Sequence, residues 1–463
     1  MFMPNPARSR RGHRIDPPAA QQLPPSQWAA ATAAAPSGSG TVSLTEPAAG
    51  GPSALEQLLA KGRPRATLAM LGPAFVAAIA YVDPGNFATN LRGGAQHGYL
   101  LLWVVLLANL MAMPVQYLSA KLGIATDRNL PELVREHYPR AVAWGMWMQA
   151  EVVVISTDIA EFLGAALGLN ILFGVPMLPA GLIAGAIAFA ILALQNRSHR
   201  RFELAITALL GIILAGFLYE VLRIGPSAHE SLRGLLPTLH GADSLYLAVG
   251  IIGATVMPHA IYLHSALTGG RTPCRDDAER RRVLRFERLD VIAALAIAGL
   301  VNMAMLAMAA TLFHTPALTD LSTIPQAHLE LERLVGGTAA LAFAVALLVS
   351  GVSSASVGTY TGQIVMAGFV DIRIPLLLRR LITMIPAIVI LAVGVNPTDA
   401  LVLSQVVLSF GIPFALVPLI TLTSRREVMG THVNRRATTA VAWAIAALVI
   451  VLNAVLLHQQ FFR

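Results

Sequence analysis

Two short motifs, each inside a long apolar stretch, carry the residues best suited to bind a cation. They are Asp-Pro-Gly-Asn at 83–86 and Met-Pro-His at 257–259. A proline has no N–H to donate to the carbonyl four residues before it, so the two prolines free the carbonyls of Ala80 and Ala254. Irregular backbone at membrane depth is tolerated only where other groups satisfy it. We therefore expect two interrupted membrane helices whose breaks bind a ligand.

The donor atoms at these breaks favour a transition metal. Asp83 offers a carboxylate, Asn86 an amide oxygen and Met257 a thioether, beside the freed carbonyls of Ala80 and Ala254. Ca²⁺ and Mg²⁺ prefer oxygen ligands alone, whereas a thioether suits softer ions. The mixed set predicts a site for Mn²⁺, Fe²⁺, Co²⁺ or Cd²⁺ that discriminates against the alkaline earths.

Asp83 is the costliest of these residues to place in a bilayer. A charged side chain at the bilayer centre costs at least about 2.5 to 3.5 kcal/mol. Asp-Pro-Gly-Asn also forms capping turns in soluble loops. The apolar residues 66–81 lead directly into the motif, so we interpret Asp83 as a ligand and set the capping turn aside.

Composition identifies an all-α polytopic membrane protein. The 463 residues are 56% hydrophobic and 13% charged, with a mean hydropathy of +0.65. A membrane helix needs about 20 mainly apolar residues, which predicts about eleven spans. These are residues 67–92, 98–122, 142–169, 174–195, 202–223, 244–268, 288–313, 336–366, 375–395, 398–422 and 437–457.

Basic residues predict the orientation. Most of the 33 Lys and Arg fall in alternate connections, as the positive-inside rule requires. The net charge of +8 therefore indicates membrane topology and not a nucleic-acid surface. We expect a multi-pass protein of the plasma (inner) membrane with a cytoplasmic N-terminus and an extracytoplasmic C-terminus. Residues 1–62 are rich in Ala, Pro, Ser and Gly and predict a disordered cytoplasmic tail.

The two broken spans each open a run of five helices. The first run covers residues 66–223 and the second covers 244–422, and an eleventh helix follows at 434–458. Because five is odd, the second run starts on the opposite face of the membrane, which makes the two halves inverted repeats. Interrupted helices at matching positions of such repeats indicate the binding site of a transporter.

Several ionisable residues inside the spans are candidates for moving protons. Such residues either pair with opposite charges or relay protons. The third span carries three acids, and His259 lies two residues after Met257. Two arginines in the ninth span could face the acids or simply anchor that helix to the inner membrane surface. The set is Glu151, Asp158, Glu161, His259, Arg379 and Arg380.

The two motifs, extended to Ala-Thr-Val-Met-Pro-His at 254–259, resemble the signatures of the Nramp (natural resistance-associated macrophage protein) family of divalent metal transporters. The resemblance implies the inverted-repeat fold of the leucine transporter and the activity of bacterial proton-coupled manganese importers. It implies metal ligands at Asp83, Asn86, Met257 and the carbonyls of Ala80 and Ala254.

The same resemblance assigns roles beyond the two motifs. Gln405, whose polarity in an apolar span is otherwise explained by an interhelical hydrogen bond, matches a secondary metal ligand. Asp158, Glu161 and the arginine pair match a proton route that begins at Asp83, and Glu151 matches a further acid of that route. The implied partners are divalent metal ions, protons and lipid, and we expect a monomer without a cofactor.

Three other functions fit the pattern less well. A sodium- or proton-coupled amino acid symporter would share the broken helices, but Asp83 would repel a substrate carboxylate. An intramembrane metalloenzyme is suggested by His259 and His264, although their spacing is poor for one helix face and we expect no enzyme activity. A channel would not need a multidentate site. Cys274, the single cysteine, has no predicted role.

Overall fold

A computed structural model describes residues 70–197, 199–315 and 323–462, together with positions 53, 55, 56, 60, 62 and 318. The predicted tail at 1–62 lies almost wholly outside the described residues. Within them the chain forms helices and no strands. The all-helical architecture expected from the composition is therefore observed.

The first predicted span is a broken pair of helices. Helix α1 spans Pro73–Ala80, and α2 spans Pro84–His97. Each begins with a proline in its first turn, where the missing N–H costs nothing. The helix stops at Ala80 because Pro84 cannot donate to it, as the sequence predicts.

Helices α3 to α8 complete the first half of the chain. One of them, the long helix α5, packs against α2. Their bounds are α3 Leu102–Thr126, α4 Leu130–His137, α5 Arg140–Phe173, α6 Met177–Arg197, α7 His199–Ile224 and α8 Ala228–Arg233.

A second broken pair opens the other half. Helix α9 spans Gly241–Thr255, and α10 spans Pro258–Thr268. The half-helices pair crosswise, because α2 packs on α9 and α1 packs on α10. This crossing brings the two breaks to the same depth in the protein.

The remaining helices surround these pairs. The long helix α13 packs along α5, and α15 packs on α9. Their bounds are α11 Asp277–Phe313, α12 Ile324–Leu334, α13 Gly337–Val370, α14 Leu376–Val393, α15 Pro397–Thr423, α16 Arg426–Met429 and α17 Arg436–Phe462.

Each of the eleven predicted spans coincides with a helix or a broken pair. Eight stretches of the described residues are long and apolar enough to cross a membrane, and one of them, Pro84–Thr126, joins α2 to α3. Large apolar side chains are exposed on outer helices, such as Leu381 and Ile385 of α14. Residues 241–268, in contrast, are almost entirely buried. The broken helices thus lie inside a ring of helices suited to contact lipid.

Candidate metal site at two helix breaks

Asp83 lies in the first break and both caps a helix and keeps a free oxygen. It is the residue before α2, and its Oδ1 accepts a hydrogen bond from the Asn86 N–H at 2.8 Å. The capping turn that the sequence argument set aside is therefore present, because a helix that restarts inside the protein needs its first N–H groups satisfied. Asp83 Oδ2 is buried and has no hydrogen-bond partner among the described residues.

Asn86 also presents an unpartnered oxygen. Its amide nitrogen donates to Oδ1 of Asn302 on α11 at 3.1 Å. Its own Oδ1 is buried and accepts no hydrogen bond from any residue that the structure describes. Buried polar atoms are nearly always paired, so two unpartnered oxygens within one turn are candidate ligands for a cation.

The backbone carbonyls that follow Ala80 accept hydrogen bonds from side chains on other helices. Asn302 Nδ2 donates to the carbonyl oxygen of Tyr81 at 2.7 Å, and the Ser350 hydroxyl donates to that of Val82 at 2.5 Å. Since Pro84 cannot donate to the Ala80 carbonyl, that oxygen is available as the predicted ligand.

The second break contributes Met257 from an apolar setting. Met257 precedes α10, is fully buried, and its side chain caps no helix N–H in the described part of the chain. Ala254 lies in the last turn of α9 and is also fully buried. Pro258 removes the N–H that would pair with the Ala254 carbonyl.

Gln405 on α15 lies against both broken helices. A Cβ added at Gly85 would collide with the Gln405 side chain, and one added at Gly253 would collide with the Gln405 backbone oxygen. The Gln405 amide nitrogen donates to Ser404 at 3.1 Å, while its Oε1 is buried and lacks a partner in the described ranges. The predicted secondary ligand thus lies beside the Asp-Pro-Gly-Asn turn and near α9.

Two of the candidate proton-route acids are paired with the two arginines. Arg380 contacts Asp158 at 2.6 Å, and Arg379 contacts Glu151 at 2.8 Å. The arginines therefore form ion pairs with these acids, which is one of the two roles that the sequence left open for them. Glu161 is buried against Gly358 of α13.

Helix α5 connects these acids to both breaks. Gly164 of α5 lies so close to Pro84 that a Cβ there would overlap the proline ring. About two turns earlier on α5, the Thr157 hydroxyl is 3.2 Å from His259 Nδ1. Asp158 and Glu161 lie between these two contacts, so a single helix runs from one break past the acids to the other.

His259, His264 and Cys274 do not come together as a metal centre in the described part of the chain. His264 bonds Gln116 and Glu287, each at 2.9 Å, whereas His259 faces Thr157. Among the described residues no three His, Cys, Asp or Glu side chains group as metal ligands. Burial raises the pKa of the Cys274 thiol to about 11, which keeps it protonated at neutral pH.

The surroundings differ at the two ends of the broken pairs. A cavity of about 510 Å³ lies beside the far ends of α2 and α9, and it is lined by Arg92, Gln96, His97, Asp243, Tyr246 and Leu247. At the other end, Asp290 accepts hydrogen bonds from the N–H groups of Gly72 and Ala74 at 3.1 and 3.0 Å. The start of α1 is thereby anchored to α11.

Sequence comparison identifies the family. The profile described as "Natural resistance-associated macrophage protein-like" matches residues 74–459. The chain belongs to the Nramp family. The predicted resemblance is confirmed, and the match includes both helix breaks and the helices around them.

Curated Nramp relatives match over nearly the whole chain. The divalent metal cation transporter MntH of Bacillus subtilis is 52% identical over 398 residues, covering 86% of this chain and 93% of that protein. MntH of Deinococcus radiodurans is 53% identical over 395 residues, covering 85% and 91%.

Solved structures support the fold. A mutant of the Eremococcus coleocola manganese transporter superposes with a TM-score of 0.75 at 32% identity, covering 85% of this chain and 87% of that one. The nucleobase-cation-symport transporter Mhp1 superposes with a TM-score of 0.55 at 13% identity, covering 83% and 90%. The predicted leucine-transporter-like class is therefore confirmed.

Sequence reasoning missed several buried polar residues that lie beside the two breaks. Asn302, Asn90 and Thr157 are buried polar residues in apolar helices, and Ser350 is another. Their polarity at membrane depth is itself a signal. The partners could not be identified without the fold, since Asn302 lies 216 positions from Asn86.

Proposed function

We propose that this protein imports divalent transition metal ions, chiefly Mn²⁺ and also Fe²⁺, Co²⁺ and Cd²⁺, together with protons by alternating access. The observation that carries the proposal is the pair of unpartnered oxygens, from Asp83 and Asn86, within the described part of the first break. Met257 at the matching break adds the soft ligand that separates these ions from Ca²⁺ and Mg²⁺. The names of the curated relatives support metal transport.

Alternating access is supported by the difference between the two ends of the broken helices. The cavity beside α2 and α9 lies at one end of the broken pairs, while Asp290 anchors α1 at the other end. With the N-terminus in the cytoplasm, the cavity faces outward. The ion would reach Asp83 from outside and leave after α1 moves away from α11. We place the protein in the inner membrane, as a monomer with its C-terminus outside.

The proposed proton route starts at Asp83. Metal binding displaces the Asp83 proton, which passes along α5 by way of Asp158 and Glu161 toward the arginine pair. The route is supported by the position of α5, which contacts Pro84 at Gly164 and His259 at Thr157, with both acids between these contacts. Inward movement of each charge gains about 2.3 kcal/mol per 100 mV of membrane potential.

Proteoliposomes test this proposal directly. Mn²⁺ uptake is followed by quenching of an internal dye, and internal pH by a second dye, with and without an acidic exterior. We expect uptake that accelerates at acidic outside pH and is accompanied by proton influx. Asp158→Asn with Glu161→Gln should sharply reduce the proton influx evoked by Mn²⁺. Unchanged proton flux would remove these acids from the route, and absent Mn²⁺ uptake by the wild type would refute metal import.

A further inference from the structure

We propose that Asn302 is a positioning residue that fixes the Asn86 amide with its oxygen toward the transported metal. This inference rests on the metal-binding role proposed above for Asn86. Asn302 lies on α11, outside both broken helices, and is 1% exposed. It touches the candidate ligand through one hydrogen bond and the unwound backbone through another.

The hydrogen bonds around Asn302 determine the orientation of three amides. The Tyr81 carbonyl oxygen can only accept, so the Asn302 nitrogen must face it, at 2.7 Å. The Asn302 oxygen is then turned toward Asn86 and Asn90. Both residues must present their nitrogens to it, at 3.1 and 2.8 Å.

The consequence is that two amide oxygens point away from Asn302. Asn86 Oδ1 and Asn90 Oδ1 are both buried and both lack a partner within the ranges that the structure describes. The two residues are four positions apart on α2 and therefore share one face of the helix. A backbone carbonyl thus sets, through Asn302, which atom of Asn86 is left to bind an ion.

The orientation matters because an amide has two chemically opposite ends. A flipped Asn86 would turn two N–H donors toward the cation and would place its oxygen against the Asn302 oxygen. Asn86 and Asn302 are each about 1% exposed, so bulk water cannot substitute for the lost contacts. Asn302 therefore prepares the oxygen ligand before the metal arrives, which reduces the cost of ordering on binding.

Asn302→Leu tests the inference, because leucine has a similar volume and makes no hydrogen bonds. Partners that orient a metal ligand are typically worth about 10 to 100-fold in metal affinity. In proteoliposomes we expect the KM for Mn²⁺ to rise at least about tenfold by the same rule, with a smaller change in the maximal rate. Isothermal titration with Mn²⁺ should show the same loss in binding.

A double-mutant cycle separates positioning from a general structural role. If Asn302 acts through Asn86, then Asn302→Leu should add little to the KM of Asn86→Ala. Fully additive effects would overturn the inference. Asn453→Leu is the matched control, because Asn453 is a buried asparagine that bonds Ser409 twice, at 2.8 and 2.9 Å. We expect its KM to be that of the wild type.

Asn302→Asp provides a second variant if leucine prevents folding. The aspartate keeps an oxygen that accepts from both Asn86 and Asn90 but loses the hydrogen bond to the Tyr81 carbonyl, so its KM should lie between those of the wild type and Asn302→Leu. The lower KM of Asn302→Asp relative to Asn302→Leu should disappear when Asn86 is replaced by alanine. If the difference came from the added charge alone, it would persist in that background and count against the inference.

The outcomes distinguish this inference from the function on which it rests. A wild type that takes up Mn²⁺ beside an Asn302→Leu variant with native KM would overturn the positioning role and leave metal transport intact. A wild type that neither binds nor moves Mn²⁺ would overturn both.

Discussion

The two helix breaks differ in how the protein holds them open. The first is built from hydrogen bonds, with Asp83 capping α2 and with Asn302 and Ser350 bonded to backbone carbonyls. The second is apolar, and Met257 caps no helix N–H among the described residues. Close packing holds it instead, since Gly253 abuts Gln405 and Pro258 contacts the Gly411 position.

The difference suggests that the two breaks have separate roles in binding the ion. The polar break supplies hard oxygens in orientations fixed by hydrogen bonds, while the apolar break supplies a sulfur and a carbonyl on a segment held by packing. A mixed donor set selects ions by ligand type as well as by charge. The first break should therefore control whether a cation binds, and the second should control which cation is preferred.

The largest effect is expected at Asp83. Asp83→Asn keeps an oxygen able to cap α2 but removes the charge that attracts the ion. We expect Mn²⁺ uptake to fall about a hundredfold or more, equivalent to about 2.7 kcal/mol, while the thermal unfolding midpoint in detergent changes little. Substantial uptake by a folded Asp83→Asn protein would show that the first break does not decide binding.

The next effect is a change of preference at the second break. Met257→Ala should lose Cd²⁺ preference by about tenfold, equivalent to about 1.4 kcal/mol, and should gain transport of Ca²⁺ or Mg²⁺. Competition among these ions and Mn²⁺ in the uptake assay measures the ranking. Truncating a buried methionine also costs about 2 to 5 kcal/mol of stability, so Met257→Leu is the volume-matched control. An unaltered ranking in both variants would mean that the sulfur is not a ligand.

A third prediction compares two glycines that contact Gln405. At Gly253 an added Cβ meets the Gln405 backbone, which cannot move aside, whereas at Gly85 it meets the flexible Gln405 side chain. We expect Gly253→Ala to destabilise the protein by about 1 to 3 kcal/mol, typical of overpacking, and Gly85→Ala by less. Thermal unfolding of both variants checks the order. The reverse order would contradict the view that packing holds the second break.

The smallest effect is expected at Ser350. Ser350→Ala removes the hydrogen bond to the Val82 carbonyl, which is worth about 0.5 to 1.5 kcal/mol. Ser354→Ala is the matched control, because the Ser354 hydroxyl bonds only the preceding turn of its own helix in the described structure. Denaturation of the two variants should place Ser350→Ala below Ser354→Ala in stability. Equal stabilities would show that the Val82 carbonyl does not need this support.

Proline chemistry made the breaks predictable from the sequence. Helix α1 ends at Ala80 and α10 begins at Pro258, as the missing N–H groups require. Apolar length likewise predicted the positions of the spans. Both the proline breaks and the apolar length of a span depend only on residues that are close together in the sequence.

Two features were not predicted from the sequence, one because it depends on the tertiary fold and the other because a local signal was interpreted wrongly. The partner of Asn86 lies on a distant helix, and an isolated asparagine in an apolar span does not identify its contacts. The cap at Asp83 was set aside because apolar residues precede it, but a helix that restarts within the membrane needs a cap there as much as in solution. For Arg379 and Arg380 the sequence left two roles open, ion pairing with the acids or anchoring of the helix. The fold was needed to distinguish them.

Anomalous diffraction from crystals soaked in Mn²⁺ would locate the bound ion. We expect one strong peak between the breaks, within bonding distance of Asp83 Oδ2, Asn86 Oδ1 and the Met257 sulfur. A peak elsewhere in the protein, or one bound by Asp83 with Asn86 and Met257 out of reach, would contradict the proposed site.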